Sequence, residues 1–176
     1  MQKVESDPDE YLASLPAERR STMTAADALV RQAMPARRRS LWTGKFWGGT
    51  DQTIIGYGDV RQPRPRGADV EWFAVGLAMQ KNHVSLYVNA ALDGQYLAKA
   101  YADRLGKVKV GSASIAFASL DDVDLAALTE LLPACRPAHR TGRLLTDPDL
   151  RAAALGRGPT PDRAAGVTPF LTVLYP

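Results

Sequence analysis

The chain has 176 residues, of which 45% are hydrophobic and 23% charged, the balance of an ordinary globular domain. A chain of this length buries roughly two-thirds of its unfolded surface without a metal or disulfide staple, and its single cysteine, Cys135, excludes an internal disulfide and suits a reducing compartment. The net charge of +3 sits at one end: residues 1–132 hold 16 Lys and Arg against 16 Asp and Glu, and residues 133–176 hold six Arg against three Asp, so the basic balance describes a tail and argues only weakly for a nucleic-acid partner.

Residues 1–8 carry Glu5 and Asp7 and no apolar run, and read as a flexible lead rather than a secretory signal. No stretch approaches the ~20 apolar residues of a membrane span, so the expected location is the cytoplasm and no membrane partner is expected. Pro8 to Ser14 reads as a short helical turn. A helix from Pro16 to about Ala33 follows, with proline at its first position and Met23, Ala26, Val30 and Ala33 on one stripe. Pro35 ends it. Leu41 to Trp47 is a short aromatic strand, Gly48 and Gly49 make a turn, and Thr53 to Tyr57 is a second strand. Arg61 to Asp69, with Pro63, Pro65 and Gly67, is a loop.

Val70 to Ala78 and His83 to Asn89 read as an antiparallel hairpin turning near Lys81 and Asn82. Alternation sends Val84, Leu86 and Val88 to the core and His83, Ser85 and Tyr87 to the other face. Gln95 to Leu105 reads as a helix stopped by Gly106. Lys107 to Phe117 reads as one strand whose apolar phase switches near Gly111, which predicts a bulge or bend there. Ser119, with an acid three residues on, signals the start of a last helix carrying Leu125, Leu128, Leu131 and Leu132 and ending at Pro133. Beyond it, residues 133–176 alternate Pro, Arg, Gly and Ala and read as a loosely ordered tail; only Asp149–Leu155 suits a short helix and only Phe170–Tyr175 a docked strand.

Several segments, taken in order, resemble the YdhG-like domains, a bacterial family of unknown function. They are Glu10-Tyr11-Leu12 with Leu15-Pro16-Ala17-Glu18-Arg19-Arg20, then Ile55-Gly56-Tyr57-Gly58, then Trp72-Phe73-Ala74-Val75-Gly76. Gln80-Lys81-Asn82-His83-Val84-Ser85-Leu86-Tyr87 follows, and Leu105-Gly106-Lys107-Val108-Lys109-Val110-Gly111 with Ser119-Leu120-Asp121-Asp122-Val123-Asp124-Leu125 closes the series. The resemblance covers residues 9–132 and departs at Gly111-Ser112-Ala113-Ser114, where many members carry a lysine. It implies an α+β sandwich: a mostly antiparallel sheet with helices packed on one face. Some members are similar to frataxin and are labelled iron chaperones on that ground, although a shared fold does not carry function.

Lys81, His83, Tyr87, Lys107 and Lys109 fall on the polar face of two strands. With Trp72, Trp42 or Trp47 as a floor they would form a cleft for a small anionic ligand, since lysines act as point charges toward carboxylate or phosphate. The plainer reading is a solvated sheet face. His83 and the tail residue His139 are the only histidines, too few with Cys135 for a zinc site or a Cys–His nucleophile, so no catalytic residue, metal site or cofactor is assigned. Asp121, Asp122 and Asp124 suit a helix start better than a cation. Glu18 and Asp27 lie among Arg19, Arg20 and Arg31, unlike an acidic iron-binding ridge. Arg37-Arg38-Arg39 with Arg61, Arg64 and Arg66 could contact phosphates, but a helix end explains the first run and no nucleic-acid motif accompanies it. The glycines match no nucleotide-binding loop. The expected function is that of a non-enzymatic binding protein for a small anionic ligand or metal; the alternative is an interaction or adaptor domain, homodimeric, using a sheet face or edge and the basic tail.

Overall fold

The computed structural model describes residues 1–46, 49–62, 70–92 and 95–135. The tail after Cys135, with its expected short helix and strand, and Trp47 lie outside the described residues. In chain order, β1 (Gln2–Val4) precedes α1 (Pro8–Ser14), started by Pro8 and by the Asp7 carboxylate, which accepts the Asp9 N–H at 2.8 Å. α2 (Ala17–Ala33) follows Pro16. Then come β2 (Arg39–Phe46), β3 (Thr50–Gln62), β4 (Val70–Met79) and β5 (Val84–Val88). A small hairpin of β6 (Ala91–Leu92) and β7 (Gln95–Tyr96) leads into α3 (Leu97–Ala100), and β8 (Lys109–Val110), β9 (Ser114–Phe117) and α4 (Leu125–Ala134) complete the order.

Seven strands form one antiparallel sheet in the order β1-β2-β3-β4-β5-β9-β8. One cross-strand row explains its burial. Val4, Leu41, Ile55, Leu77, Leu86, Ile115 and Val110 are successive partners across all seven strands. Every one is apolar, so this face packs against the buried stripes of α2 (Met23, Ala26, Val30) and α4 (Leu128, Leu131, Leu132). The fold is thus α+β, with the buried side chains of the helices gathered on one side of the sheet. The adjacent row, Lys3, Trp42, Ile54, Ala78, Ser85, Ala116 and Lys109, points the other way. On that second face Trp42, Phe46, Ile54, Phe73, Ala78 and Tyr87 form a separate buried cluster. No helix among the described residues is long and apolar enough to cross a membrane.

Phe73 breaks the alternation of β4. Val75 and Leu77 face the helices, yet Phe73 joins the aromatic cluster on the opposite side. The cause lies on the neighbouring strand. Between the pairs Tyr57–Val75 and Asp59–Phe73, Gly58 adopts φ +72°, a conformation that a side chain disfavours, and both strands change phase together there.

Five expectations need correction. Residues 107–117 are not one bulged strand: the chain reverses at Gly111, whose N–H bonds the Ser114 carbonyl at 2.7 Å, and β8 and β9 pair with each other. The phase switch marked a hairpin. Residues 95–105 are not one helix but β7, the single turn α3 and a 3-10 turn (Ala102–Arg104). Ser119 caps only the 3-10 turn Leu120–Asp122, while Asp124 starts α4 by accepting the Ala127 N–H at 2.9 Å. Pro133 lies inside the last turn of α4 rather than beyond it. Residues 1–8, expected as a flexible lead, contain β1, which pairs with β2.

Candidate functional site

Arg39 opens β2 and stands directly opposite Tyr57 of β3 in the sheet register. Both belong to the helix-facing side, and above them α2 places Asp27, only 2% exposed. The Tyr57 hydroxyl donates to Asp27 Oδ1 at 2.6 Å, and Arg39 Nη1 donates to Asp27 Oδ2 at 3.0 Å. Arg39 also forks onto Asp9 of α1, Nη1 to Oδ1 at 3.0 Å and Nη2 to Oδ2 at 2.7 Å. Four groups from α1, α2, β2 and β3 therefore satisfy one another, as a buried charge requires. Burial first, and then the Asp27 carboxylate, push the Tyr57 phenol well above its ordinary value. The hydrogen bond from Arg39 holds Asp9 below the usual carboxylate range.

Arg39 is also the wall between two open clefts. One, of about 550 Å³, lies at the C-terminal end of α2 and carries Arg31, Arg37, Arg39 and Gln32. Its other described walls are uncharged, and no carboxylate among the described residues lines it. The second, of about 770 Å³, lies along the β1–α1 connection; there Lys3, Arg38 and Arg39 face Glu5, Asp7 and Asp9, so its charges are balanced. In the first cleft Arg31 approaches Asp27 only to 3.8 Å. Arg37 has no ion pair among the described residues, and its stem packs where a Cβ on Gly58 would come within 3.0 Å of Cδ.

The sequence-predicted residues occupy a different part of the molecule. Lys81 and His83 are exposed in the β4–β5 turn, where the Gln80 N–H bonds the His83 carbonyl at 2.8 Å. Lys109 is exposed on the outermost strand, on the same face as Ser85 and two strands from it, and Lys107 is exposed just before β8. Tyr87 shares that face but is buried. Its hydroxyl donates to Gln52 Oε1 at 3.1 Å, and its ring meets Phe46 edge-on at 4.6 Å between centroids. Trp72 is half-buried beside Trp42 at 5.6 Å. The cation nearest an indole among the described residues is Lys3, 6.0 Å from the Trp42 ring, rather than any predicted lysine. Neither described cleft contains Lys81, His83, Lys107 or Lys109. The two ends of the sheet, β1 and β8, are three and two residues long.

Among the described residues, no three His, Cys, Asp or Glu side chains are grouped as they would be around a metal ion. Cys135 is fully buried at the end of α4, its Sγ donating to the Leu131 carbonyl at 3.5 Å. Burial pushes its thiol up from 9.0 to about 12, with the Arg37 charge opposing part of the rise. A thiol held neutral in this way is a poor nucleophile. Because the folded value lies above the unfolded one, the associated stability is complete below pH 9.0 and is lost as pH rises toward about 12. The urea midpoint of the wild type is therefore expected to fall between pH 8 and pH 10 by more than that of Cys135→Ala, and a thiol reagent at pH 8 is expected to label Cys135 only on unfolding. Equal pH slopes in the two proteins, or rapid labelling of the native chain, would contradict the burial account.

Asp27 and Tyr57 were not singled out as site residues by the sequence, and Arg39 stood out only as one member of the Arg37-Arg38-Arg39 run. A signal existed for Asp27, which lies four residues after Met23 and three before Val30, on the buried stripe itself. No family model, no curated protein and no solved structure matches the chain.

Proposed function

We propose that the chain is a non-enzymatic binding domain of YdhG-like type that holds a small anionic ligand. The carrying observation is the cleft at the end of α2, where Arg31 and Arg37 project beside a fixed Arg39, and among the described residues the only carboxylate in an ion pair with either is Asp27, 3.8 Å from Arg31 and not part of the lining. Guanidinium groups suit oxyanions because their N–H donors are paired in a rigid fork. A helix end alone accounts for less than this. It presents roughly half a negative charge, and Arg31 already lies in the last turn of α2. Binding rather than chemistry is favoured by the materials of the cleft: among the described residues its lining holds no histidine, cysteine, serine or carboxylate to act as nucleophile or base.

Thermal unfolding of the full chain with a panel of small anions tests this reading. A ligand at 100 times its Kd stabilises by about 2.7 kcal/mol, a rise in Tm of several degrees. The shift is expected to vanish in Arg31→Gln with Arg37→Gln and to persist in Lys81→Ala with Lys109→Ala. The reverse pattern would move the site to the lysine-bearing end of the sheet; no shift with any anion would end the proposal.

A further inference from the structure

From the same cleft, and resting on the anion-binding reading, we infer that the ligand class is a phosphate monoester, recognised by Arg31 and Arg37 jointly while Arg39 serves as a positioned wall. The three arginines are not equivalent. Both Arg39 Nη atoms are spent, on Asp9 at 3.0 and 2.7 Å and on Asp27 at 3.0 Å, and its side chain is only 16% exposed. It cannot turn to a ligand without leaving Asp27 buried beside one partner fewer. Arg31 and Arg37 differ. Each carries five N–H donors, and among the described residues their one charged contact is the 3.8 Å approach of Arg31 to Asp27. That carboxylate is already occupied by Tyr57 and Arg39.

Two forks on one cleft favour a tetrahedral anion. A carboxylate is planar, and a single guanidinium in bidentate contact takes one site on each of its two oxygens, leaving a second guanidinium only the outer sites in the same plane. A phosphate monoester offers three terminal oxygens in three directions, so two guanidiniums from different elements can each take a pair while sharing one oxygen. Arg31 lies in the last turn of α2 and Arg37 in the connection to β2, on either side of Pro35. Gln32 adds an uncharged donor, and Ala28 and Pro35 give the ester group an apolar surface. At neutral pH a monoester carries about −1.5 to −2 charges, comparable in size and opposite in sign to the charge of two guanidiniums. A phosphodiester carries one charge and two free oxygens, and would use half of the site.

Isothermal titration of the full chain at low salt with phenyl phosphate, inorganic phosphate, malonate and a short thymidine oligonucleotide tests the assignment. Saturable binding of phenyl phosphate is expected, at least tenfold tighter than malonate. Arg31→Gln, at an exposed position, and Arg37→Gln, at a half-buried one, are each expected to weaken it about tenfold or more while the ligand-free protein stays folded, as its thermal transition shows. Inorganic phosphate binding as tightly as phenyl phosphate supports the two-fork geometry and removes the part assigned to Ala28 and Pro35. Malonate binding as tightly as phenyl phosphate overturns the phosphate class and leaves the anion-binding reading standing. Tighter binding of the oligonucleotide overturns the monoester in favour of a nucleic-acid strand. No binding of any of the four overturns both.

Discussion

Asp27→Ala is expected to destabilise the domain by about 3–5 kcal/mol, the cost of removing one partner from a buried charge network. The reason is what it leaves behind. Tyr57 is 1% exposed, and its hydroxyl would lose the acceptor at 2.6 Å. Arg39 would keep Asp9, but that carboxylate is 62% exposed and screened by water. Tyr57→Phe should cost less, about 1.5–3 kcal/mol, because it deletes one charge-assisted hydrogen bond and leaves the Asp27–Arg39 pair intact. Replacing all three by apolar residues of similar size, Asp27→Leu with Tyr57→Phe and Arg39→Met, should cost less than Asp27→Ala alone, since no polar group is then stranded. Urea denaturation of the four proteins at pH 7 measures each difference. An Asp27→Ala midpoint within 1 kcal/mol of the wild type would mean that water reaches Tyr57 and Arg39, and that the network is surface chemistry.

That network also shows what was legible in the sequence and what was not. Strand alternation is a local signal, so Val84, Leu86 and Val88 could be sent to the core before any partner strand was known, and the register places them there. The helix of α2 and the β4–β5 hairpin were readable for the same reason. The α+β class followed from their order; the finer YdhG-like or frataxin-like sandwich was carried by the resemblance alone. Phe73 was not readable. Its phase depends on Gly58, fifteen residues earlier on the neighbouring strand, and the sequence alone does not show that the kink and Phe73 stand side by side in the register. The hairpin at Gly111 looked like a bulge because both leave the same trace, one change of apolar phase. The arginine cleft was half visible. Arg37 and Arg39 stood out as a charge run, but a run does not say which member is spent. Only the fold brings Asp9 and Asp27 to Arg39 and leaves Arg37 without either. The lysine–tyrosine face rested on alternation as well. Alternation placed Tyr87 and Lys109 on one side of the sheet, and it could not tell that aromatic rings already cover Tyr87.

Gly76→Ala carries the second large effect, and its sign depends on one neighbour. Gly76 and its register partner Gly56 lie beneath the Phe73 side chain on the second face of the sheet. Neither has a positive φ, so the need for glycine there is one of space and not of backbone conformation. A Cβ on Gly76 would stand against Phe73 Cε2 and 2.9 Å from Ile54 Cγ2, distances that ordinary packing does not allow. The ring has little room to retreat. Phe73 is fully buried, with Trp72 stacked at 4.9 Å and Trp42 edge-on at 5.6 Å. Overpacking of this kind costs typically 1–3 kcal/mol, and the packed rings place Gly76→Ala toward the upper end, about 2–3 kcal/mol. In a Phe73→Leu background the edge atom is gone, and the same substitution should cost at least about 1 kcal/mol less, the coupling expected of residues in contact. The unfolded chain offsets part of the cost in both backgrounds alike, because alanine has less conformational entropy to lose than glycine, by about 0.4–1 kcal/mol, and this part cancels from the coupling. Urea midpoints of the four proteins of the cycle supply the coupling. Equal costs of Gly76→Ala in both backgrounds would show that the ring does not sit on the glycines, and the phase change at Gly58 would then lose its packing consequence on this face.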